Sequence, residues 1–130
     1  MKLECSVNKI KNALIAVERI TGKNLTLPVL SSILWVATDK TLKLRSTNLS
    51  IGIEIKIPAK IEKEGTVAIR GDILSSLFSV LGGEGNVSFE LVDNNLLVKT
   101  KSNTILLNVK EYFSVAYTNN IYNIILIRKR

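Results

Sequence analysis

The chain contains no histidine and only one cysteine, Cys5, among its 130 residues. These absences exclude an internal disulfide, zinc sites built from cysteine and histidine, the Ser-His-Asp triad and cysteine–histidine nucleophiles. The glycine-rich stretch Gly82–Gly85 follows a helical pattern instead of preceding one, so it does not predict a phosphate-binding loop. Asp39, Asp72 and Asp93 fall in separate turns or caps with no shared spacing. We therefore expect no catalytic residue, no metal site and no cofactor.

Aromatic residues make up only 5% of the chain, and there are only two prolines, Pro28 and Pro58. The core must therefore consist of Ile, Leu and Val, which suit a pleated sheet better than an aromatic ligand pocket. A chain of this length fits one domain. No stretch approaches the roughly 18 apolar residues of a membrane span, and the start lacks the apolar core of a signal peptide. We expect a cytoplasmic protein with no membrane partner.

The positive charge is moderate once its location is considered. The formal charge of +7 comes from 18 basic and 11 acidic residues, and Arg128, Lys129 and Arg130 supply three of the positive charges. Residues 1–127 thus carry 15 basic against 11 acidic residues, a net charge of +4. Such a surface favours weak, salt-dependent contacts with phosphates and does not favour tight sequence-specific binding.

The first elements are a strand and an amphipathic helix. Lys2–Cys5 alternates charged and apolar residues, as a half-buried strand does, and Ser6 is a candidate N-cap. Apolar residues three or four apart then predict a helix over about residues 7–20. Its other side carries a polar line: Lys9, Asn12, Ala16 and Arg19. That line is either an ordinary solvated face or a surface that contacts an anionic partner.

The remaining elements alternate between strands and one further helix. Four strands are predicted at Val29–Ala37, Thr41–Ser46, Ile51–Ile57 and Thr66–Ile69, with a charged connection at Lys60–Gly65. A second helix begins at Gly71-Asp72 and ends at Gly82-Gly83, and three strands follow at Asn86–Val92, Asn95–Thr100 and Thr104–Val109. The order β-α-β-β-β-β-α-β-β-β predicts an α+β fold, with two helices packed on antiparallel sheets.

Three features in one order resemble the N-terminal domain of the bacterial DNA polymerase III beta subunit, the DNA sliding clamp. A strand beginning Met1-Lys2 leads into a helix, Thr26–Ser31 reads TLPVLS, and Thr41–Leu49 reads TLKLRSTNL at the expected distance. The resemblance implies a DNA-clamp domain at residues 1–115, the first of three domains in the family. Two such chains close head to tail into a ring around duplex DNA, with sheets outside and helices lining the hole.

The resemblance implies a DNA replication processivity factor that tethers the replicative polymerase and has no enzymatic activity of its own. A ring that slides requires cations that hold phosphates without base contacts. On this basis Lys9, Asn12 and Arg19 of the first helix, and Lys23 and Asn24 at its end, would face duplex DNA. Where the family's second helix usually carries an acid and a Lys or Arg, this chain has serines, so we expect that helix to add little positive charge.

The resemblance also implies a subunit interface. In the family, the late edge strand and the second helix supply half of it, which would place Ile105, Leu107 and Ser75 there. Ile105 and Leu107 could equally face this domain's own core. An exposed apolar edge strand is a site at which another chain can add a strand.

The end of the chain departs from the family. The family's cleft for polymerase and clamp loader lies between its second and third domains, so we do not expect this chain to bind either of them. Residues 116–130 have no counterpart in the family, and we hypothesise a truncated or frame-shifted product with a non-native tail. The alternative hypothesis is a stand-alone structural or interaction domain that pairs with protein through its edge strand and has no DNA role.

Overall fold

The structure is a computed structural model that describes residues 1–20, 32–48, 50–82 and 85–109. Within these ranges, the first half contains β1 (Lys2–Ser6), α1 (Val7–Glu18), β2 (Ser32–Thr38), β3 (Thr41–Thr47) and β4 (Gly52–Pro58). The second half contains β5 (Lys60–Lys63), β6 (Gly65–Arg70), α2 (Gly71–Phe78), β7 (Asn86–Val92), β8 (Asn95–Lys99) and β9 (Thr104–Asn108). The predicted fold class, two helices with antiparallel sheets, is confirmed.

The structure adds one strand to the predicted order. The sequence predicts a charged connection at Lys60–Gly65, whereas Lys60–Lys63 forms β5 and pairs with β1, with Leu3 opposite Ile61. Ile61 packs against the core while Lys60, Glu62 and Lys63 remain exposed. One apolar residue is too short a pattern to indicate a strand, and pairing with β1 decides the conformation.

The strands form two antiparallel sheets that enclose the core. One sheet has the order β5-β1-β7-β8-β9 and the other has the order β4-β3-β2-β6. The two sheets meet through an edge-to-face contact between Trp35 of β2 and Phe89 of β7, whose ring centroids are 5.0 Å apart. Both side chains are fully buried. Branched aliphatic residues supply most of the remaining core, as the composition predicts.

Helix α1 is fixed to the sheets along one face and at its two ends. Val7, Ile10, Ala13, Leu14 and Val17 are buried. At the start of the helix the Ser6 Oγ accepts a hydrogen bond from the Lys9 amide at 3.5 Å. Near the end, the buried Ser46 hydroxyl of β3 donates to the Val17 carbonyl at 2.6 Å. The outward face of α1 is therefore held in one orientation.

Candidate nucleic-acid interface

The predicted polar line lies on the solvent side of α1. Lys9, Asn12 and Arg19 are exposed and Ala16 is half-buried, because the opposite side of the helix is packed into the core. Arg19, the C-cap residue of α1, lies ten positions after Lys9, which corresponds to about 15 Å along a helix axis. The structure thus brings these three polar side chains onto one surface, which we call the α1 face.

The start of α1 concentrates positive potential. Lys9 lies in the first turn, and no acidic residue accompanies it there. The N-terminal end of a helix carries a partial positive charge, which proteins usually offset with Asp or Glu. Here the lysine adds to that charge instead. The Val7 amide donates to the Gly85 carbonyl at 3.0 Å and the Lys9 amide to Ser6, so these two amides are already used. An anion would therefore be attracted mainly by charge.

Two side-chain contacts attach α1 to α2 and to the turn that follows α2. The Lys11 Nζ donates to the Leu81 carbonyl at 3.2 Å, and the Ser75 Oγ lies 3.3 Å from the Glu18 Oε1. Lys11 follows the buried Ile10, so its side chain leaves the helix beside the apolar face. In the sequence, Lys11 looks like one more solvent-facing cation. In the structure, its ammonium group instead contacts a carbonyl that lies 70 residues further along the chain.

The outward side of α2 is nearly neutral. Ser75, Ser76 and Ser79 are exposed, and each hydroxyl has a carbonyl of its own helix within hydrogen-bonding distance. Asp72, in the first turn, forms an ion pair with Arg70. Of the two helices, α1 therefore carries most of the positive charge, as the serines of the second helix predict.

Two of the five predicted DNA-facing residues, Lys23 and Asn24, lie outside the described residues. The same holds for the marker Thr26–Ser31 and for the predicted tail at residues 116–130. Their predicted roles stay predictions.

On β9 the apolar residues divide between two faces. Ile105 and Leu107 are half-buried and pack against this domain's own core, whereas Leu106 between them is 61% exposed. The sequence does not single out Leu106, because three apolar residues in a row do not show which one faces outward. The Asn103 side-chain Nδ2 donates to the Val80 carbonyl at 3.4 Å, which brings the turn before β9 close to the end of α2. The interface role of Ile105, Leu107 and Ser75 stays a prediction.

The described part of the chain offers little for other kinds of chemistry. Within it, no group of three or more His, Cys, Asp or Glu side chains is placed to hold a metal ion. None of its helices is long and apolar enough to span a bilayer. Burial raises the pKa of the Cys5 thiol to about 12, with a smaller contribution from the charge of Glu4. Such a thiol is a poor nucleophile at neutral pH.

Two helices packed against two antiparallel sheets match the fold of a beta clamp domain. The family model for the DNA polymerase III beta subunit, N-terminal domain, matches residues 1–116. The chain belongs to this family, the sliding clamps of DNA replication.

Individual relatives agree with this assignment. The beta sliding clamp of Synechococcus elongatus is 30% identical over 92 residues, covering 69% of this chain and 24% of that protein. The Caulobacter crescentus pol III beta structure is 25% identical with a TM-score of 0.75, covering 88% of this chain and 32% of that chain.

A third similarity concerns the fold alone. The Helicobacter pylori beta clamp, solved bound to a DNA ligase peptide, is 24% identical with a TM-score of 0.78, covering 91% of this chain and 32% of that chain. The chain thus spans about a quarter of the length of the Synechococcus clamp and about a third of the two solved clamps.

Proposed function

We propose that this chain acts as the first domain of a ring-shaped clamp that encircles duplex DNA and serves as a processivity factor for the replicative polymerase. The α1 face carries this proposal: Lys9, Asn12 and Arg19 are exposed on one helix whose first turn contains no acid. Family membership supplies the supporting context. On this proposal the domain is an accessory factor, and catalysis belongs to the polymerase.

The α1 face fits sliding contact better than tight binding. Two cations and one amide can attract phosphates, and nothing in this set selects one base from another. Neutralising two phosphates per domain would give a slope of about −2 in a plot of log affinity against log salt concentration. A weak, strongly screened attraction lets a closed ring move along the duplex.

The proposal assigns the subunit interface to the β9 edge together with Ser75 of α2. Ile105 and Leu107 would contribute chiefly through their backbone and the exposed parts of their side chains, because both pack against this domain's core. Contact between Asn103 and Val80 supports a continuous surface from β9 to α2. A mixture of this chain with the third domain of a full-length clamp should form a heterodimer in native mass spectrometry. Absence of that species would contradict the interface assignment.

The DNA contact can be tested in a complete ring. Residues 1–109 would replace the matching N-terminal domain of the Synechococcus clamp, and Lys9→Glu with Arg19→Glu would reverse the α1 face. We expect the double variant to shorten residence on circular DNA at low salt. The matched control, Lys56→Glu with Lys99→Glu, makes the same change in charge at exposed lysines of β4 and β8. We expect the control to leave the residence time unchanged.

The alternative function, an interaction domain with no DNA role, predicts a different outcome. In that case the double variant and its control would behave alike. Equal residence times at low salt would therefore reject the DNA contact of α1 and favour the alternative.

A further inference from the structure

Strand β9 is the last strand of the five-stranded sheet, and its outer edge has no strand partner among the described residues. Native proteins usually protect such an edge with charged residues or proline. The outer strands β4 and β5 follow this rule, with Glu54, Lys56 and Pro58 in one and Lys60, Glu62 and Lys63 in the other. The outer strand β6 has one charged residue, Arg70, at its end. Strand β9 reads TILLN and contains neither a charged residue nor a proline.

The hydrogen-bond alternation of the β8–β9 hairpin shows which backbone groups of β9 point outward. The Val109 amide donates to Asn94 and the Thr100 amide to Asn103, so both ends of the hairpin are hydrogen-bonded pairs. Because such pairs alternate along an antiparallel ladder, Leu107 and Ile105 bond with β8. The amides and carbonyls of Thr104, Leu106 and Asn108 therefore face the free edge.

This arrangement is self-complementary. If a second β9 is placed antiparallel about a two-fold axis through Leu106, Leu106 lies opposite its own copy and Thr104 lies opposite Asn108. The three residues of each copy whose backbone groups face outward pair with each other in this register, so six hydrogen bonds can form. No like charges oppose each other, since the strand carries none. Ile105 and Leu107 would face each other on the core side.

The outward face of the sheet supports the same register. Leu97 lies directly opposite Leu106 in the β8–β9 pair, and Leu106 is the most exposed large hydrophobic residue in the described part of the chain. The two-fold arrangement would align Leu97 and Leu106 of one copy with Leu106 and Leu97 of the other. Four leucines in one cross-strand row would then shield each other from water.

We propose that two copies of this chain pair through their β9 edges into a symmetric dimer with one continuous ten-stranded sheet. This inference goes beyond the proposed function, because it involves neither DNA nor another clamp chain. The pairing occupies the edge that the proposed ring interface would use, so the two associations exclude each other. Five residues per copy bury less than the roughly 1,200 Å² of a standard interface, so we expect a dissociation constant on the order of 0.1–1 mM.

Sedimentation equilibrium of the full 130-residue chain tests the proposal. The weight-average mass should rise toward twice the monomer mass as concentration passes through that range. Leu106→Lys should raise the dissociation constant at least tenfold, because two ammonium groups would meet at the two-fold axis. Leu106→Pro should do the same by removing the central amide. Ile51→Lys is the matched control: it adds the same charge at a residue that is 49% exposed and outside the edge, and it should dimerise like the parent.

Two results would overturn the proposal. A parent chain that stays monomeric at all concentrations would show that the edge is covered by residues 110–130 or reserved for another partner. Dimerisation of Leu106→Lys or Leu106→Pro with the parent's affinity would show that the contact lies elsewhere. Neither result affects the DNA test of α1, since this experiment contains no DNA and leaves Lys9 and Arg19 unchanged.

Discussion

Two proline substitutions at neighbouring positions of β9 should differ sharply in their effect on stability. In Leu107→Pro the chain loses the amide that bonds to Leu96 in β8, and the partly buried leucine side chain no longer packs on the core. One lost hydrogen bond that leaves a carbonyl unsatisfied costs about 1–3 kcal/mol, and the lost apolar contact about 1 kcal/mol. In Leu106→Pro the missing amide faces the free edge and the lost side chain is exposed. Its cost should be below about 1 kcal/mol, because proline is tolerated at such edge positions.

The contrast can be measured by urea denaturation at a concentration where the chain is monomeric. Trp35 is the only tryptophan and is fully buried, so its emission reports unfolding. With a slope of about 2 kcal/mol per molar urea, a 2 kcal/mol difference places the two midpoints about 1 M apart. Leu107→Ala separates the side-chain contribution from that of the amide. Equal midpoints for the two proline variants would refute the hydrogen-bond register derived for β9.

Further predictions concern the attachment of α1 and the chemistry of Cys5. Ser46→Ala removes the hydroxyl that donates to Val17, so it should lower the free energy of unfolding by about 1 kcal/mol. Ser76→Ala, at an exposed site of α2, should change that free energy by less than about 0.5 kcal/mol. Differential scanning calorimetry of both variants measures the difference. Iodoacetamide at about pH 8 should modify Cys5 far more slowly in the folded chain than in urea, because a pKa of about 12 leaves few thiolates. Since burial raises the pKa of the folded Cys5 above the ordinary thiol value of 9.0, the contribution of Cys5 to stability is complete below about pH 9 and declines toward pH 12. Cys5→Ser should lose less stability between about pH 8 and pH 10 than the parent, and an equal loss would show that other groups control this range.

The elements that sequence reasoning predicts well have strong local signals. Helix α1 follows an N-cap serine and repeats apolar residues at helical spacing, so both its position and its buried face are evident in the sequence. The exposure of Lys9, Asn12 and Arg19 follows from the same periodicity. Their position on a helix face is therefore predictable, although no sequence pattern states what that face contacts.

The features that sequence reasoning misses depend on residues far apart in the chain. Strand β5 forms because it pairs with β1, and the local pattern around Ile61 is too short to predict a strand. Lys11 has a structural role only because the turn after α2 presents a carbonyl to it. On β9 the register with β8, and not the composition, turns Leu106 outward and its neighbours inward. Each of these outcomes is a property of tertiary pairing.

Whether this domain works as part of a closed ring can be measured directly. The hybrid clamp that carries residues 1–109 in place of the Synechococcus N-terminal domain would be loaded onto nicked circular DNA, and its retention would be measured before and after the circle is cut. We expect retention on the circle and rapid release from the ends of the linear form, since a ring would hold DNA by enclosing it and the α1 face would attract phosphates only weakly. Failure to load onto the circle, or equal retention on circular and linear DNA, would contradict a role for this domain in a closed ring.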